Sequence, residues 1–384
     1  MTVFNPSTED EVAALVRDAA ASGRGLEIRG GGTRGIGAVE ADDVLGTGGL
    51  TGVTLYEPGA LTLVVRAGTP LGEIEAVLAA ENQQLPFEPW DGRALTRSNG
   101  TPTIGGMVAV NASGPRRIQA GACRDSMIGV RFVDGTGAAV KNGGRVMKNV
   151  TGLDLVKLMA GSHGTLGVLT EVGFKVLPRP ETTATIALDG LDAPNAVAAM
   201  NGAMTTPYDV TGAAHVPAGL GEGPVTMLRL EGFEGSVAHR SRELVRALGR
   251  FGAARVVEGP GDWAWVRDAA GFAGRDGAVW RVSVKPTDGV RLAEALAPAE
   301  VIFDWSGGLT WALTPEDFDL RAAIAGIPGH ATLVRSGGDA QTRFGAFHPE
   351  PAPLAAIAAG LRAKFDPSGI LNPGRMGARA AVPA

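Results

Sequence analysis

Apolar residues recur at Val12, Leu15, Val16 and Ala19, the three-and-four spacing of one helix face, following Thr8 with Glu11 three positions on. The spacing predicts a capped helix over 8–21. At Leu26-Glu27-Ile28-Arg29 the period changes to two, which predicts a short strand running straight into Gly30-Gly31-Gly32-Thr33-Arg34-Gly35. Strands are expected at 53–56 and 62–66, then a helix over 71–80 with Thr69 as its cap and Pro70 in its first turn. An extended 85–89 segment leads to a small-residue stretch, Thr103 to Ala112. Residues 130–140 read as a hairpin turning at Asp134-Gly135, 153–160 as a helix, and 168–176 as a strand with Thr170, Val172, Phe174 and Val176 on one face.

Pro178 and Pro180 interrupt the pattern. Beyond them the order strand (182–188), helix (194–204), strands (210–216, 224–231), helix (236–249), strand (253–257) is followed by a second set. That set is strand 277–284, helix 288–296, strands 301–305 and 309–313, helix 316–325 and strand 330–336. Each is a split β-α-β unit, and two of them can share one antiparallel sheet with helices on one face. A last helix, 353–365, precedes a tail rich in turn residues, Asp366 to Arg375, expected to pack back on the first part of the chain. The fold class is therefore α+β, in three parts: 1–180, 181–345, and 346–384.

Composition narrows the function. The 384 residues include 57 glycines, about twice the usual share, and 24 prolines, with no three-residue repeat and 45% hydrophobic residues, so collagen-like and disordered readings fall away. Arginine far outnumbers lysine, a bias that a GC-rich coding sequence also produces, so the position of the glycines matters more than their number. A net charge of −5 offers no general basis for binding nucleic acid. The lone Cys123 cannot form an internal disulfide, and the chain start has neither a basic segment nor an apolar run, which points to the cytosol, with membrane contact at the inner face of the plasma membrane only through partners.

Gly30-x-Gly32-x-x-Gly35 matches the dinucleotide fingerprint, but that mechanism needs a helix directly after the glycines, and here the helix comes before the strand. A loop of glycines can still converge its N–H groups on an anion, with Arg29 or Arg34 adding charge; the alternative is a plain turn. The stretch Thr103 to Gly114 lets backbone approach a flat ring closely, or simply packs a tight helix contact. Gly161-Ser162-His163-Gly164-Thr165-Leu166-Gly167 carries more glycine than a helix-to-strand turn requires. The histidines at 163, 215, 239, 330 and 348 have no metal-ligand spacing, so no metal is expected.

Taken in order, Arg29 to Thr33, Pro86, Thr103 to Gly114, Arg116 to Asp125, Gly161 to Gly167 and Leu371-Asn372-Pro373-Gly374 resemble the vanillyl-alcohol-oxidase or PCMH-type FAD-binding family. The second half resembles the cap of FAD-linked oxidases. Asp304 to Trp311 and His330 to Arg335 are similar to the FAD-binding subunits of bacterial glycolate oxidases. The resemblance implies that Arg29, Gly30, Gly31, Gly32, Thr33 and Arg34 hold the FAD pyrophosphate. It further implies that Thr103, Gly105, Gly106, Asn111, Gly164, Thr165, Gly167 and Val168 line the flavin, with Pro86, Gly114, Arg116, Asp125 and Gly161 in the same site and Asn372 reaching it from the tail. Family members that bind FAD covalently through this loop carry histidine where Thr33 stands, so FAD is expected to be non-covalent.

Catalytic 2-hydroxy-acid dehydrogenases of the family carry HxxGDGNxH in the cap, whereas this chain has Gly337-Gly338-Asp339-Ala340-Gln341. Arg335 and Arg343 are the candidates for holding a substrate carboxylate, or they pair within the fold, and no base is evident. The resemblance implies an FAD-binding subunit that takes part in oxidising glycolate, a 2-hydroxy acid, to glyoxylate beside a catalytic FAD subunit and an iron–sulfur subunit. The alternatives are a non-catalytic assembly subunit retaining the fold, and a stand-alone FAD-dependent oxidase of a small hydroxylated substrate.

Overall fold

The computed structural model describes residues 1–377 apart from 145–151, 222, 260 and 298. Its first part holds two small sheets, besides a two-stranded pairing of Gln83–Gln84 with Leu177–Pro178. Val3–Phe4, Asp43–Gly46 and Leu26–Arg29 form a parallel sheet in which Asp43–Gly46 is central. The pattern of 36–45 does not predict this central strand, because all four of its residues are buried and show no alternation. The Glu9–Ser22 helix covers the sheet, with the expected capping box of Thr8 and Glu11 in place. Val12, Val16 and Ala19 meet Leu26, Leu45, Ile370 and Leu371 in one apolar cluster.

The second sheet is five-stranded and antiparallel, in the order Val53–Glu57, Thr62–Arg66, Val168–Lys175, Met127–Val133, Ala139–Gly143. The hairpin turns at Asp134, whose carboxylate accepts from Thr136 and Ala138 backbone N–H groups. Pro70, not Thr69, stands at the cap of the Leu71–Ala80 helix. The Thr69 hydroxyl is used elsewhere, donating to the Arg66 carbonyl and accepting from the Gly52 N–H.

From residue 182 the chain builds one eight-stranded antiparallel sheet. Its order is Ala254–Glu258, Thr182–Asp189, Val225–Gly232, Gly212–Val216, Glu300–Asp304, Leu309–Thr314, Ala278–Val284, Gly329–Arg335. The two split units abut where His215 pairs with Phe303, and each repeats the same internal order outward from that joint. One face packs on Ala193–Met204, Glu234–Leu248 and Gly289–Ala295 through Leu228, Trp280, Val282 and Phe303. Residues of opposite parity, Met227, Val279, Ile302 and Trp311, join the core of the first part. A sheet covered on both faces explains why every residue of Leu309–Thr314 is buried. The expected 316–325 helix shrinks to Leu320–Ala323, started by an Asp319 cap after Pro315.

The Ala352–Phe365 helix leads to a tail that adds Leu371 in a parallel bridge to Leu26. Among the described residues, no helix is long and apolar enough to cross a membrane.

Candidate functional site

A cavity of about 380 Å³ opens between the two small sheets. Three segments converge on it: the loop after Leu26–Arg29, the Ile104–Ala109 helix, and the 163–169 turn. The backbone N–H groups of Gly30, Gly31, Gly32, Thr33, Arg34 and Gly35 have no hydrogen-bond partner among the described residues. Gly32 and Gly35 are exposed, but Gly30 and Gly31 are half-buried and Thr33 and Arg34 buried; N–H groups away from water are nearly always paired, so this run beside a cavity marks a place for an acceptor. Glycine is required here by space. A side chain at Gly31 would drive into the Thr101 carbonyl, and one at Gly30 would meet Thr103 Oγ1 at 2.7 Å. Gly32 has φ +68°, with only open space where a Cβ would be.

The Thr103 hydroxyl caps the Ile104–Ala109 helix by accepting from Gly106 N–H, and Gly105 donates to Ala67 at 2.7 Å with no room for a Cβ. The third segment is held by the tail. Asn372 Oδ1 accepts from Ile28 N–H at 2.8 Å, and its Nδ2 donates to the His163 carbonyl at 2.7 Å. A Cβ at Gly164, which has φ +72°, would strike that amide. The His163 ring packs edge-on against Phe347, and burial with the nearby Arg375 charge pulls its pKa down to about 4.

Of the residues singled out from sequence, Arg29, Gly30–Arg34, Thr103, Gly105, Gly106, Gly164 and Gly167 line this one cavity. Other predicted residues stand around it in supporting positions. Gly161 donates to Val108, Asn111 Oδ1 accepts from Arg124 N–H, Thr165 donates to Ser162, and Val168 and Pro86 are buried in the core beside it. Asp125 accepts from the Ala122 N–H. Arg29 pairs with Glu27 at 2.6 Å. The Arg34 guanidinium donates to the Trp90 carbonyl and stacks 4.7 Å from that ring, so it orders Trp90, while its Nε is buried without a partner.

Gly114 and Arg116 belong to a different place, the seam beneath the large sheet. There Arg229 grips Glu88 with two bonds of 2.7 and 2.9 Å, and Arg116 pairs with Glu231 at 2.5 Å. Asp304 is buried beside them, and burial pushes its carboxyl up to about 7. Arg335 is consumed by the carbonyls of Leu95, Phe272, Arg275 and Gly277, which corrects its reading as a carboxylate clamp. Arg343 lies exposed over Phe344 at the edge of the sheet and joins no site.

Two residues escape a reading of the sequence. Arg375 lines the cavity from the tail, its Nε buried without a partner, and the only signal for it is its place after Asn372-Pro373-Gly374. Asp304 has no local signal at all, since its shift comes from burial under a sheet.

A family model described as an FAD binding domain matches residues 2–143. The glycolate oxidase subunit GlcE of Escherichia coli (strain K12) is 36% identical over 330 residues, covering 85% of this chain and 84% of that protein. The chain belongs to the GlcE family of FAD-linked oxidoreductases. It is an FAD-dependent oxidoreductase of the PCMH-type fold. The glycolate oxidase subunit GlcD of Bacillus subtilis (strain 168) is 36% identical to this GlcE-family chain over 130 residues, 34% of the chain and 24% of that protein. Among solved structures, 4-ethylphenol oxidase from Gulosibacter chungangensis has a TM-score of 0.67 at 15% identity, covering 99% of this chain and 89% of its own. An alkyldihydroxyacetonephosphate synthase has 0.68 at 17%, covering 97% and 77%. At such identities the likeness is one of fold.

Proposed function

We propose that this chain is the FAD-binding subunit of a complex that oxidises glycolate to glyoxylate, working beside a catalytic flavin subunit and an iron–sulfur subunit. The observation that supports it best is the row of six unpartnered N–H groups along 30–35, beside a cavity where the acceptor oxygens of one diphosphate would be met by backbone. Gly30, Gly31, Gly32, Thr33 and Arg34 take the pyrophosphate, and Arg375, 3.9 Å from Glu27, adds a second cation at the cavity. Thr103, Gly105, Gly106, Gly164 and Gly167 give the ring system a flat, close approach. When bound, FAD supplies the two-electron redox chemistry. The chain's own residues bind it, fix its orientation and exclude water. Thr33 offers no nucleophile for a bond to the ring, so the cofactor is held non-covalently.

The same reading divides the chain into a cofactor-binding part over 1–180, a cap over 181–345, and a 346–384 segment that returns to the cofactor side. With Arg335 tied to carbonyls and no HxxGDGNxH, turnover depends on the partner subunits. The purified chain is expected to be yellow and to release all its flavin on acid precipitation. In an anaerobic titration, glycolate is expected to bleach the flavin only when the partner subunits are present. Flavin that stays with the acid pellet overturns the non-covalent reading. Bleaching by glycolate of the chain alone makes it a stand-alone oxidase, and a colourless chain still needed for assembly makes it a non-catalytic subunit.

A further inference from the structure

At the seam, one turn of the large sheet carries three successive left-handed residues. Trp305, Ser306 and Gly307 have φ of +51°, +60° and +92°. Non-glycine residues avoid this region, and strain of this kind persists only where surrounding contacts enforce it. Here Trp305 Nε1 donates to the Gly114 carbonyl at 2.9 Å, and the Trp305 N–H donates to Asp304. The turn thereby fixes the indole between the two halves of the molecule.

Two guanidinium groups lie against that ring. The carbon of Arg117, from the first half, is 4.4 Å from its centroid, and that of Arg281, from the sheet, is 4.9 Å away. Both arginines are half-buried. Neither guanidinium makes an ion pair or a hydrogen bond among the described residues, in contrast to those of Arg116 and Arg229 next to them, which are paired with carboxylates. Contact with a ring offsets part of the cost of half-burying a cation, and it leaves the N–H donors of each fork without a protein acceptor and within reach of solvent. The charge of Asp304 is felt by Arg281, but the two side chains form no ion pair. His330, two residues along the adjacent strand from Thr332, the partner of Arg281, adds a third basic group, and its pKa is held down by burial and then by the charges of Arg281, His348 and Arg117.

We propose that Arg117 and Arg281, steadied by Trp305, form a binding site for a small carboxylate anion at the seam between the cofactor-binding part and the cap. Two planar forks with free donors match the two oxygens of a carboxylate. The proposal deepens the reading of this chain as part of a 2-hydroxy-acid oxidising complex, and assigns the carboxylate end of such an acid to these two residues. It replaces Arg335 and Arg343, which the sequence singled out for that task.

The test is isothermal titration of the full-length, FAD-loaded chain with glycolate and, separately, with inorganic phosphate. Wild type is expected to bind glycolate saturably, and Arg117→Gln and Arg281→Gln each to weaken it at least tenfold, with Arg281→Lys intermediate. Arg246→Gln, on an exposed helix face, serves as the control and is expected to bind as wild type does. Melting temperature and flavin content identify a variant that has failed to fold, in which case Arg281→Lys carries the test. Unchanged glycolate binding in both glutamine variants, or no saturable binding in wild type, overturns the site. Phosphate binding as tight as glycolate, abolished by the same substitutions, overturns the carboxylate assignment. A colourless chain that still binds glycolate through these arginines refutes the flavin reading and leaves the site standing, whereas a yellow chain that binds no carboxylate does the reverse.

Discussion

Along residues 30–35 the cleft presents bare backbone N–H groups, while the seam beneath the large sheet presents Glu88, Arg116, Arg229, Glu231 and Asp304, all side chains and all largely buried. The first arrangement suits a large cofactor with diphosphate oxygens, because backbone donors are fixed in place and lose no side-chain entropy on binding. The second suits holding two halves of a molecule in register, since a buried ion pair tolerates little displacement. Charge behaves differently in the two places as well. The cleft keeps a buried imidazole neutral, with the His163 pKa near 4, whereas the seam keeps a buried carboxyl largely protonated up to a pH of about 7.

That contrast can be broken experimentally. The largest effect is expected from Glu88→Gln, which leaves buried Arg229 and Arg116 to share the single carboxylate of Glu231 and costs about 3 kcal/mol in chemical denaturation. A loss below about 1 kcal/mol would mean that the seam is held by its apolar contacts instead.

The pH dependence follows. Asp304 has its folded pKa raised from 3.8 to about 7, so the folded state holds a proton that the unfolded state releases between those values, and stability falls as pH rises through that window. Each unit of the shift is worth about 1.4 kcal/mol. Asp304→Asn should therefore match wild type near pH 4 and melt higher than wild type at pH 8. His163 is the opposite case, with a folded pKa lowered from 6.5 to about 4, so its contribution is present above pH 6.5 and is lost as pH falls toward 4. His163→Gln should flatten that acid limb and leave the alkaline side unchanged. Melting curves from pH 4 to pH 8 that show no difference in slope between either variant and wild type would refute the contrast.

In the cleft, Gly31→Ala forces a methyl group into the Thr101 carbonyl, with an expected loss of about 1–3 kcal/mol and of most bound flavin after gel filtration. Retention of stoichiometric flavin would argue that this loop does not hold the cofactor. The smallest of these effects is expected from Asn372→Ala, which frees the Ile28 N–H and the His163 carbonyl and costs about 2 kcal/mol, together with faster proteolysis of the tail.

Much of the architecture is readable from residue order. The capped first helix, the Asp134 hairpin and both split units of the large sheet lie within two or three residues of the positions that apolar periodicity predicts, because each is decided by local spacing and turn residues. The Asp43–Gly46 strand and the short 320–323 helix depart from that pattern, the first because burial on all sides erases alternation, the second because tertiary packing and not helix propensity sets its length. The glycine clusters at 30–35, 103–106 and 164–167 were legible as a site because space for backbone is written in the residue type itself.

The roles of the arginines were not legible in that way. Nothing in the sequence separates Arg335, which is spent on four carbonyls, from Arg281, which has none, or Arg116, which is paired, from Arg117, which is not. The sequence by itself determined the elements, their order and the glycine-built cradle, since these follow from short-range sterics and periodicity. Only the tertiary structure decided which charges at the seam are neutralised, because Glu231 reaches Arg116 and Glu88 reaches Arg229 from segments more than a hundred residues away, and an arginine's availability is fixed by what the fold brings within about 4 Å of it.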